Sequence, residues 1–550
     1  MSAHLNVIVE GCCHGELDNI YASVAEVERR RGVKVDLVLC CGDFQSLRAE
    51  QDYEALAVPP KYRELKDFRK YWSGEKVAPV LTIFVGGNHE ASNFLGSLFY
   101  GGWVAPNIYY LGAAGCVNVG GWRLAGASGI WHKRHYQLNH YELRADRVDV
   151  RDSVRSAYHV REVDVFRLAL LGERTVDAVV SHDWPRGVEQ FGDAIGLARK
   201  KPHFRDEIAA NDLGSPANEI LLNALKPAHW FSAHLHCKFA ALVDFKDGKA
   251  PTRFLALDKC LPRRDFLQLI TVERPKAGKV ELEYDAEWLA ILVKTHALLG
   301  FEPPPQRAPP IPETFSRPSS SDIASARTKA EAYCRSTGAP ENAPLRVPPL
   351  TGPPWHPCRD RYNPLKEANP QTDALLKMLG LKHVVTVPVT AQMRPCPPCK
   401  PLASTSAHAA AFAAVKPIAS PSSPPPPPRA ELVLPPPTES SGVSTPPPPS
   451  PPKRSELVLP PPVNTSAAAA AAAAPAAPAP AVPTAAQPAP AIPTAPPAAP
   501  PATLAAPALT VSEINKMTVQ KLKVALTQRG LETSGLKVAL KQRLLDAVAL

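Results

Sequence analysis

"VEGCCHGELD", Val9 to Asp18, carries the reading of the first half of the chain. It closes the apolar run "LNVIVE" that starts near Leu5, and a run rich in β-branched residues predicts a buried strand. Directly after it come Gly11, Cys12, Cys13 and His14, so groups able to hold a metal stand at the mouth of the strand. Leu17, Ile20, Tyr21, Val24 and Val27 then recur at helical spacing, and Gly32 ends the helix. Strand, polar loop and helix in that order predict one unit of a layered α/β domain.

The same figure returns along the chain. "VDLVLCCGD" ends on Asp43, "PVLTIFVGGNHE" on Asn88 and His89, "VDAVVSHDWP" on His182, and "HWFSAHLH" on His234 and His236. In open α/β sheets the carboxyl ends of strands line the ligand crevice, so residues remote in sequence are expected to converge there. The glycines let the backbone pass close to what is bound. "NIYYLG", "FLALDKC" and "DFLQLITVE" add strands, "CVNVGG" and "WRLAGAS" form a hairpin about Gly120-Gly121, and one helix is expected over Asp152–Leu171. Singly, each polar group has a plain reading. A lone His is mostly hydrogen-bonded scaffold, a Cys pair mostly core, and "GD" mostly a turn.

A chain of 550 residues exceeds one core. Most of its 63 prolines lie beyond Glu302. From Val384 to Leu509 the composition is almost entirely Pro, Ala, Ser, Thr and Val, too poor in large apolar groups to offset chain entropy, and it reads as a disordered linker. Within it "RAELVLPPP" (Arg429–Pro437) is echoed by "RSELVLPPP" (Arg454–Pro462), either a docking peptide or a local duplication. "CPPC" at Cys396–Cys399 has a metal or redox spacing without the strand-helix context such a motif needs, and reads as incidental. The formal net charge of +10 points to anionic partners, nucleic acid first. The eleven cysteines lack the spacing of a secreted disulfide scaffold, which fits a reducing compartment. A leader-like start and an apolar run of about 18 residues are both absent from the reading, so a soluble intracellular protein without membrane contact is expected.

Taken in order, Cys-x-His, Gly-Asp, Gly-Asn-His-Glu, His and His-x-His is the pattern of the calcineurin-like metallophosphoesterases, and the chain resembles them. In that superfamily at large the first motif is Asp-x-His. Here Cys12 stands in place of the Asp, and "GCCHGELD" is similar to the first motif of the RNA lariat debranching enzymes. "VGGNHE", "GASGIW", "SHDWP", "FLALDKCLPRRDFLQLI" and, near Asn369, "NPQTDALLKMLGL" also look like stretches of that family. The likeness covers about the first 300 residues well and reaches in patches to Lys382.

The resemblance implies a layered β-sandwich flanked by helices that holds two divalent ions. It assigns one ion to Cys12, His14, Asp43 and His236 and the other to Asp43, Asn88, His182 and His234, with Asp43 shared. Two such ions bring four positive charges, of which a Cys12 thiolate and the Asp43 carboxylate return two, so the site stays cationic, as a phosphodiester anion requires. The thiolate argues for Zn(II) or Fe(II), with Mn(II) as a substitute in vitro. By the same resemblance His89 is the general acid that protonates the departing 2'-oxygen, a role worth typically ~10²- to 10⁴-fold. Its plain alternative is a residue that only orients a ligand.

"WHKRHYQLNHYELR", Trp131 to Arg144, mixes aromatic, His and basic residues, a combination that stacks unpaired bases and meets phosphates. By resemblance it recognises the lariat through Trp131, His132, Lys133, Arg134, His135, Tyr136, His140 and Tyr141. A solvated surface loop is the alternative. The last segment, Thr510–Leu550, resembles a SAP motif, a small all-α helical hairpin about "RGLETSG" with Leu522, Leu526, Leu531, Leu540 and Leu544 as its core. Seven Lys and Arg against three acidic residues give it +4, which suits DNA or RNA.

The expected organisation is a catalytic domain over 1–245, a debranching-type extension over 246–300 packed on it, a weakly ordered stretch over 301–383, the linker 384–509 and the SAP-like module 510–550. The expected activity is hydrolysis of the 2'-5' bond at the branch point of excised intron lariats, in the nucleus, with branched RNA and splicing-related proteins as partners. Competing readings are a nuclease for ordinary 3'-5' linkages, a phosphatase, and an inactive nucleic-acid-binding scaffold. Phosphatases of this fold carry Arg after "GD" and before "GNHE"; "GDFQSLR" and "VGGNHE" lack both, as suits a monoanionic diester.

Overall fold

The structure, a computed structural model, describes residues 3–141, 150–275, 278–300, 306–312, 314–350, 369–382, 514, 517, 519–529, 531–533 and 537–548. The linker, its repeat and the Cys396–Cys399 pair lie outside the described residues.

The strands are β1 (Ala3–Glu10), β2 (Leu37–Cys40), β3 (Leu81–Phe84), β4 (Gly102–Ala105), β5 (Ile108–Tyr110), β6 (Ala114–Val119), β7 (Trp122–Ala127), β8 (Ala178–Ser181), β9 (His229–Ser232), β10 (Phe239–Val243), β11 (Thr252–Ala256), β12 (Leu267–Arg274) and β13 (Leu282–Tyr284). They form a six-stranded sheet, β12-β1-β2-β3-β5-β4, and a seven-stranded sheet, β10-β11-β9-β8-β7-β6-β13. The centres are parallel: β1, β2, β3 and β5 in one sheet and β7, β8, β9 and β11 in the other.

Period-2 alternation explains why the strands read as continuous apolar runs. Val7, Val9, Leu37, Leu39 and Ile83 from the first sheet meet Leu124, Val180, Phe231 and Leu255 of the second in one buried layer. Ile8, Val38, Cys40 and Phe84 point the other way, against Ile20, Tyr21 and Val24 of α1 (Leu17–Arg31). Gly32 stops that helix in the left-handed conformation, φ 63°, with its N–H on the Glu28 carbonyl. Gly120 and Gly121, at φ 58° and 90°, close the β6–β7 hairpin as expected.

Short helices α2 (Phe68–Trp72) and α3 (Ser92–Ser97) follow on the first sheet. The single helix expected over Asp152–Leu171 is two, α4 (Val150–Ser156) and α5 (Glu162–Ala169). Between them the chain bridges to another segment: Ile130 N–H donates to the Tyr158 carbonyl and Val160 N–H to the Ile130 carbonyl. Those tertiary bonds outbid the helix's own. Helices α6 (Ala194–Lys200), α7 (Arg205–Ala209), α8 (Pro216–Leu225) and α9 (Ala286–Thr295) flank the second sheet, where Trp184, Leu221, Trp230 and Ile291 share a core.

The stretch beyond residue 245 is woven into both sheets. β12 runs antiparallel to the whole of β1, from Ala3 opposite Arg274 to Glu10 opposite Leu267, and β13 lies against β6. In the stretch 301–383 the structure describes α10 (Ser320–Ser336), with a capping box at Ser319 and Asp322, and α11 (Pro370–Leu379). Gln371 of α11 grips β4 by accepting the Trp103 N–H and donating to the Trp103 carbonyl, both at 2.8 Å. Leu376 is 2% exposed in the second-sheet core. Leu376→Ala is therefore expected to cost about 2–5 kcal/mol of stability, read from denaturant unfolding of the full chain.

In the C-terminal unit, α12 (Val519–Thr527) and α13 (Lys537–Val548) enclose Ile514, Leu522, Ala525, Leu526, Leu540 and Leu544, with Leu531 packed on the side. No helix among the described residues is long and apolar enough to cross a membrane.

Candidate metal centre

Five loops deliver the candidate ligands, each leaving the carboxyl end of a parallel strand: β1 brings Cys12 and His14, β2 Asp43, β3 Asn88, β8 His182, and β9 His234 and His236. The two sheets are pinned together where these loops meet: Cys12 Sγ accepts the His234 N–H at 3.2 Å, and His182 Nδ1 lies 2.8 Å from the Cys41 carbonyl. Four of the seven candidate ligands, His14, Asp43, His234 and His236, have φ between 46° and 57°. A side chain at positive φ costs about 1 kcal/mol or more, and such strain gathers where function over-determines the backbone.

All seven residues converge. One ligand atom each from Cys12, His14, Asp43 and His236 lies within 4.8 Å of the others. His14 Nε2 stands 3.6 Å from Asp43 Oδ2 and 3.5 Å from His236 Nε2. On the other side of Asp43, its Oδ1 is 3.2 Å from His182 Nε2, which is itself 3.3 Å from Asn88 Oδ1 and 3.2 Å from His234 Nδ1.

The chemistry of this donor set fits two cations. His182 Nδ1 donates to the Cys41 carbonyl at 2.8 Å, which leaves Nε2 as the lone-pair nitrogen, the way ligand imidazoles are oriented. Unprotonated, that nitrogen faces the oxygens of Asp43 and Asn88, acceptor against acceptor, which a cation between them resolves; with no cation there, burial pulls the His182 pKa down but the Asp43 carboxylate raises it above its ordinary value, and a proton takes that place. Burial pushes the Cys12 thiol well up, the Asp43 and Glu10 carboxylates adding to the rise, so the thiolate needs a positive partner. Burial likewise takes His14 and His236 down to about 4, and both are neutral imidazoles, the ligand form, at pH 7. Asp43 is buried, which favours its neutral form, yet the facing His182 holds it well below the usual carboxylate range.

Two glycines leave room for this crowding. A Cβ on Gly42 would stand 2.3 Å from His182 Nδ1, and one on Gly87 would stand 2.2 Å from Asp43 Oδ1 and 2.8 Å from His182 Nε2. Gly87→Ala is expected to weaken metal retention about 10- to 100-fold, the range for groups that orient metal ligands, as metal analysis after dialysis would show.

The calcineurin-like phosphoesterase family model matches residues 5–238, the model for the lariat debranching enzyme C-terminal domain matches 249–384, and the SAP domain model matches 513–549. The lariat debranching enzyme of Arabidopsis thaliana is 44% identical over 397 residues, 72% of this chain and 90% of that protein. The chain belongs to the lariat debranching enzyme family. The Danio rerio member is 47% identical over 393 residues, 69% of this chain and 66% of its own length. The Homo sapiens member is 52% identical over 301 residues, 54% of this chain and 55% of its own. The fold is thus the calcineurin-like sandwich with a C-terminal SAP domain, and it implies divalent metal ions at the centre described.

Other positions in this family member show what surrounds the ligands. His89 is half-buried; its backbone N–H donates to Asp43 Oδ1 at 2.9 Å, and its ring sits 5.1 Å from that of His14. Sequence reading missed Glu90, whose buried carboxylate accepts N–H groups from Phe44 (2.7 Å), Gln45 (2.9 Å) and Gly87 (3.0 Å) and so locks the Asp43 loop to the Asn88 loop. The "NHE" string was its only signal. Asp183 was missed too: its Oδ2 takes the Trp131 N–H at 3.4 Å, tying the His182 loop to the start of the aromatic and basic segment at Trp131.

In that segment Lys133 and Arg134 are exposed, while Trp131, His132, His135 and Tyr136 are half-buried. His140 and Tyr141 are buried, His140 Nε2 lying 2.8 Å from Asp164 Oδ2. Gly129 N–H donates to the Gly86 carbonyl at 2.8 Å, so the segment begins beside the Asn88 loop. A cleft lined by Gly86, Gly87, Glu90, Ser128, Tyr158 and His140 runs between them.

Proposed function

We infer that this chain is a metal-dependent phosphodiesterase that hydrolyses the 2'-5' bond at the branch point of excised intron lariats and releases linear RNA for turnover. The observation that carries the reading is the gathering of Cys12, His14, Asp43, Asn88, His182, His234 and His236 around the shared Asp43, with His89 beside it, in a chain of this family. Two divalent ions, Zn(II) or Fe(II) by the softness of the Cys12 thiolate, would lower the pKa of the attacking water and hold the phosphate in line.

The chain's own residues do the rest. Asp43 and Cys12 leave the site net positive and so favour the anionic diester, while His89 holds a proton at an imidazole nitrogen for the departing 2'-oxygen. Trp131 and Tyr136 offer rings for unpaired bases, and Lys133 and Arg134 meet phosphates. The basic SAP domain would tether the enzyme to nucleic acid in the nucleus, where excised introns and splicing-related proteins are found.

A phosphatase reading fares worse. The arginine nearest the Gly-Asp motif, Arg48, is spent on Asp52 through bonds of 2.9 and 2.7 Å with both groups buried, and cannot grip a phosphoryl dianion. The deciding experiment offers a synthetic 2'-5' branched RNA and a linear control with Zn(II), Fe(II) or Mn(II). Cleavage at the branch alone is expected. Equal cutting of both would make the chain a general nuclease, and metal content without cutting a scaffold.

A further inference from the structure

Three imidazoles outside the catalytic centre meet in one nest. One ring nitrogen each of His132, His135 and His159 lies within 4.8 Å of the others. The Nδ1 atoms of His135 and His159 are 2.7 Å apart, and the His132 ring stacks on that of His159 with centroids 4.6 Å apart. The backbone brings them there. The His132 carbonyl accepts the N–H groups of His135 (3.0 Å) and Tyr136 (3.1 Å), which puts two of the histidines on one turn. The bridge between Ile130 and His159 supplies the third.

A buried cation nearby holds this frame. Arg161, fully buried, donates to the His159 carbonyl at 2.8 Å, to Ser156 Oγ at 2.7 Å and to the Asn139 carbonyl at 3.2 Å. His159 is 8% exposed, and His132 Nδ1 is buried without a hydrogen bond in the structure. Burial, with Arg134 and Arg161 near, keeps His132 below its ordinary value, so it stands as the neutral ligand form.

We propose that His132, His135 and His159 bind a third divalent cation, separate from the catalytic pair and of the imidazole-preferring, borderline class to which Zn(II) belongs. Ligand nitrogens ~2.0–2.1 Å from a tetrahedral ion stand about 3.3 Å apart, so the 2.7 Å contact has to open by about half an ångström. His132 and His135 stand half-buried on one turn. Three protein ligands leave one position open to water or to an RNA phosphate oxygen, on a turn that also carries the exposed Lys133 and Arg134. Bound there, the cation clips the turn of Trp131–Tyr136 to the Tyr158–Arg161 connection between α4 and α5 and presets the segment that meets the RNA.

The test is metal content of the full chain, purified with Zn(II), dialysed and analysed by plasma mass spectrometry. Wild type is expected to hold one equivalent more than the His132→Gln, His135→Gln, His159→Gln triple variant, and Asp43→Asn, which strips the catalytic pair, to keep that one. Co(II) loading should give visible absorption in Asp43→Asn that vanishes when the three substitutions are added. Equal metal in wild type and the folded triple variant, checked by circular dichroism, overturns the proposal and leaves a hydrogen-bonded histidine core. Should the triple variant misfold, His135→Gln alone decides: an unchanged metal count overturns the proposal, loss of up to one equivalent supports it. Since the readout is ion number, its failure is distinct from a failure to cleave branched RNA.

Discussion

His89→Ala should cleave the 2'-5' branch about 10²- to 10⁴-fold more slowly than wild type with its catalytic metal retained, the span that a positioned general acid contributes. The separation of the two readouts follows from geometry. His89 touches Asp43 through its backbone N–H, at 2.9 Å, and alanine keeps that bond. Its side chain is not among the candidate ligands, so on the proposed mechanism losing the ring takes a proton source and no donor from the centre. A second measurement isolates the proton. With a diester whose leaving group is a nitrophenolate, which departs without protonation, the His89→Ala deficit should shrink towards wild type. An undiminished deficit on both substrates would make His89 a positioning residue, and an unchanged rate on branched RNA would remove it from the reaction.

Asp43→Asn is expected to abolish cleavage and release both catalytic ions, the largest effect of any single substitution here. Asp43 stands between the two halves of the centre, 3.6 Å from His14 Nε2 through one oxygen and 3.2 Å from His182 Nε2 through the other. Asparagine is the informative replacement because the backbone at residue 43 has φ 46°, a conformation that Asn and Asp tolerate and that most side chains do not. Shape and backbone survive, and the shared negative charge goes. Burial already opposes ionisation at this position, and the facing His182, with the His89 N–H on Oδ1, holds the carboxyl in its charged form. A metal count equal to wild type in Asp43→Asn would contradict the shared-ligand geometry.

The candidate ligand set was legible because each member follows a buried strand, and buried strands announce themselves as apolar runs ending in glycine or another small residue. Val7, Val9, Leu37 and Leu39 gave the runs; Gly11, Gly42 and Gly87 marked where the backbone turns under the ligands. Glu90 and Asp183 were not legible in the same way. Their work is to accept N–H groups from residues up to 52 positions away, and a carboxylate's partners at that distance leave no local periodicity. The helix expected over Asp152–Leu171 failed for a related reason, since Ile130 competes for its backbone groups from a different segment. His140 and Tyr141 looked like their neighbours in an aromatic, basic string, and only burial sets them apart from Lys133 and Arg134.

From the sequence alone came the strand-and-helix order, the seven candidate ligands, the Pro-rich composition of the linker and the leucine core of the SAP hairpin, because periodicity and composition are local and each strand must bury its own apolar faces. The tertiary structure decided that two sheets face each other so that five loops share one edge, that β12 and β13 complete those sheets from the C-terminal extension, and that Arg48 is taken up by Asp52. It also placed His159 against His132 and His135. Those outcomes depend on which surfaces pack together across long separations in the chain, and hydrogen bonds and burial between such surfaces exist only once the sandwich has closed.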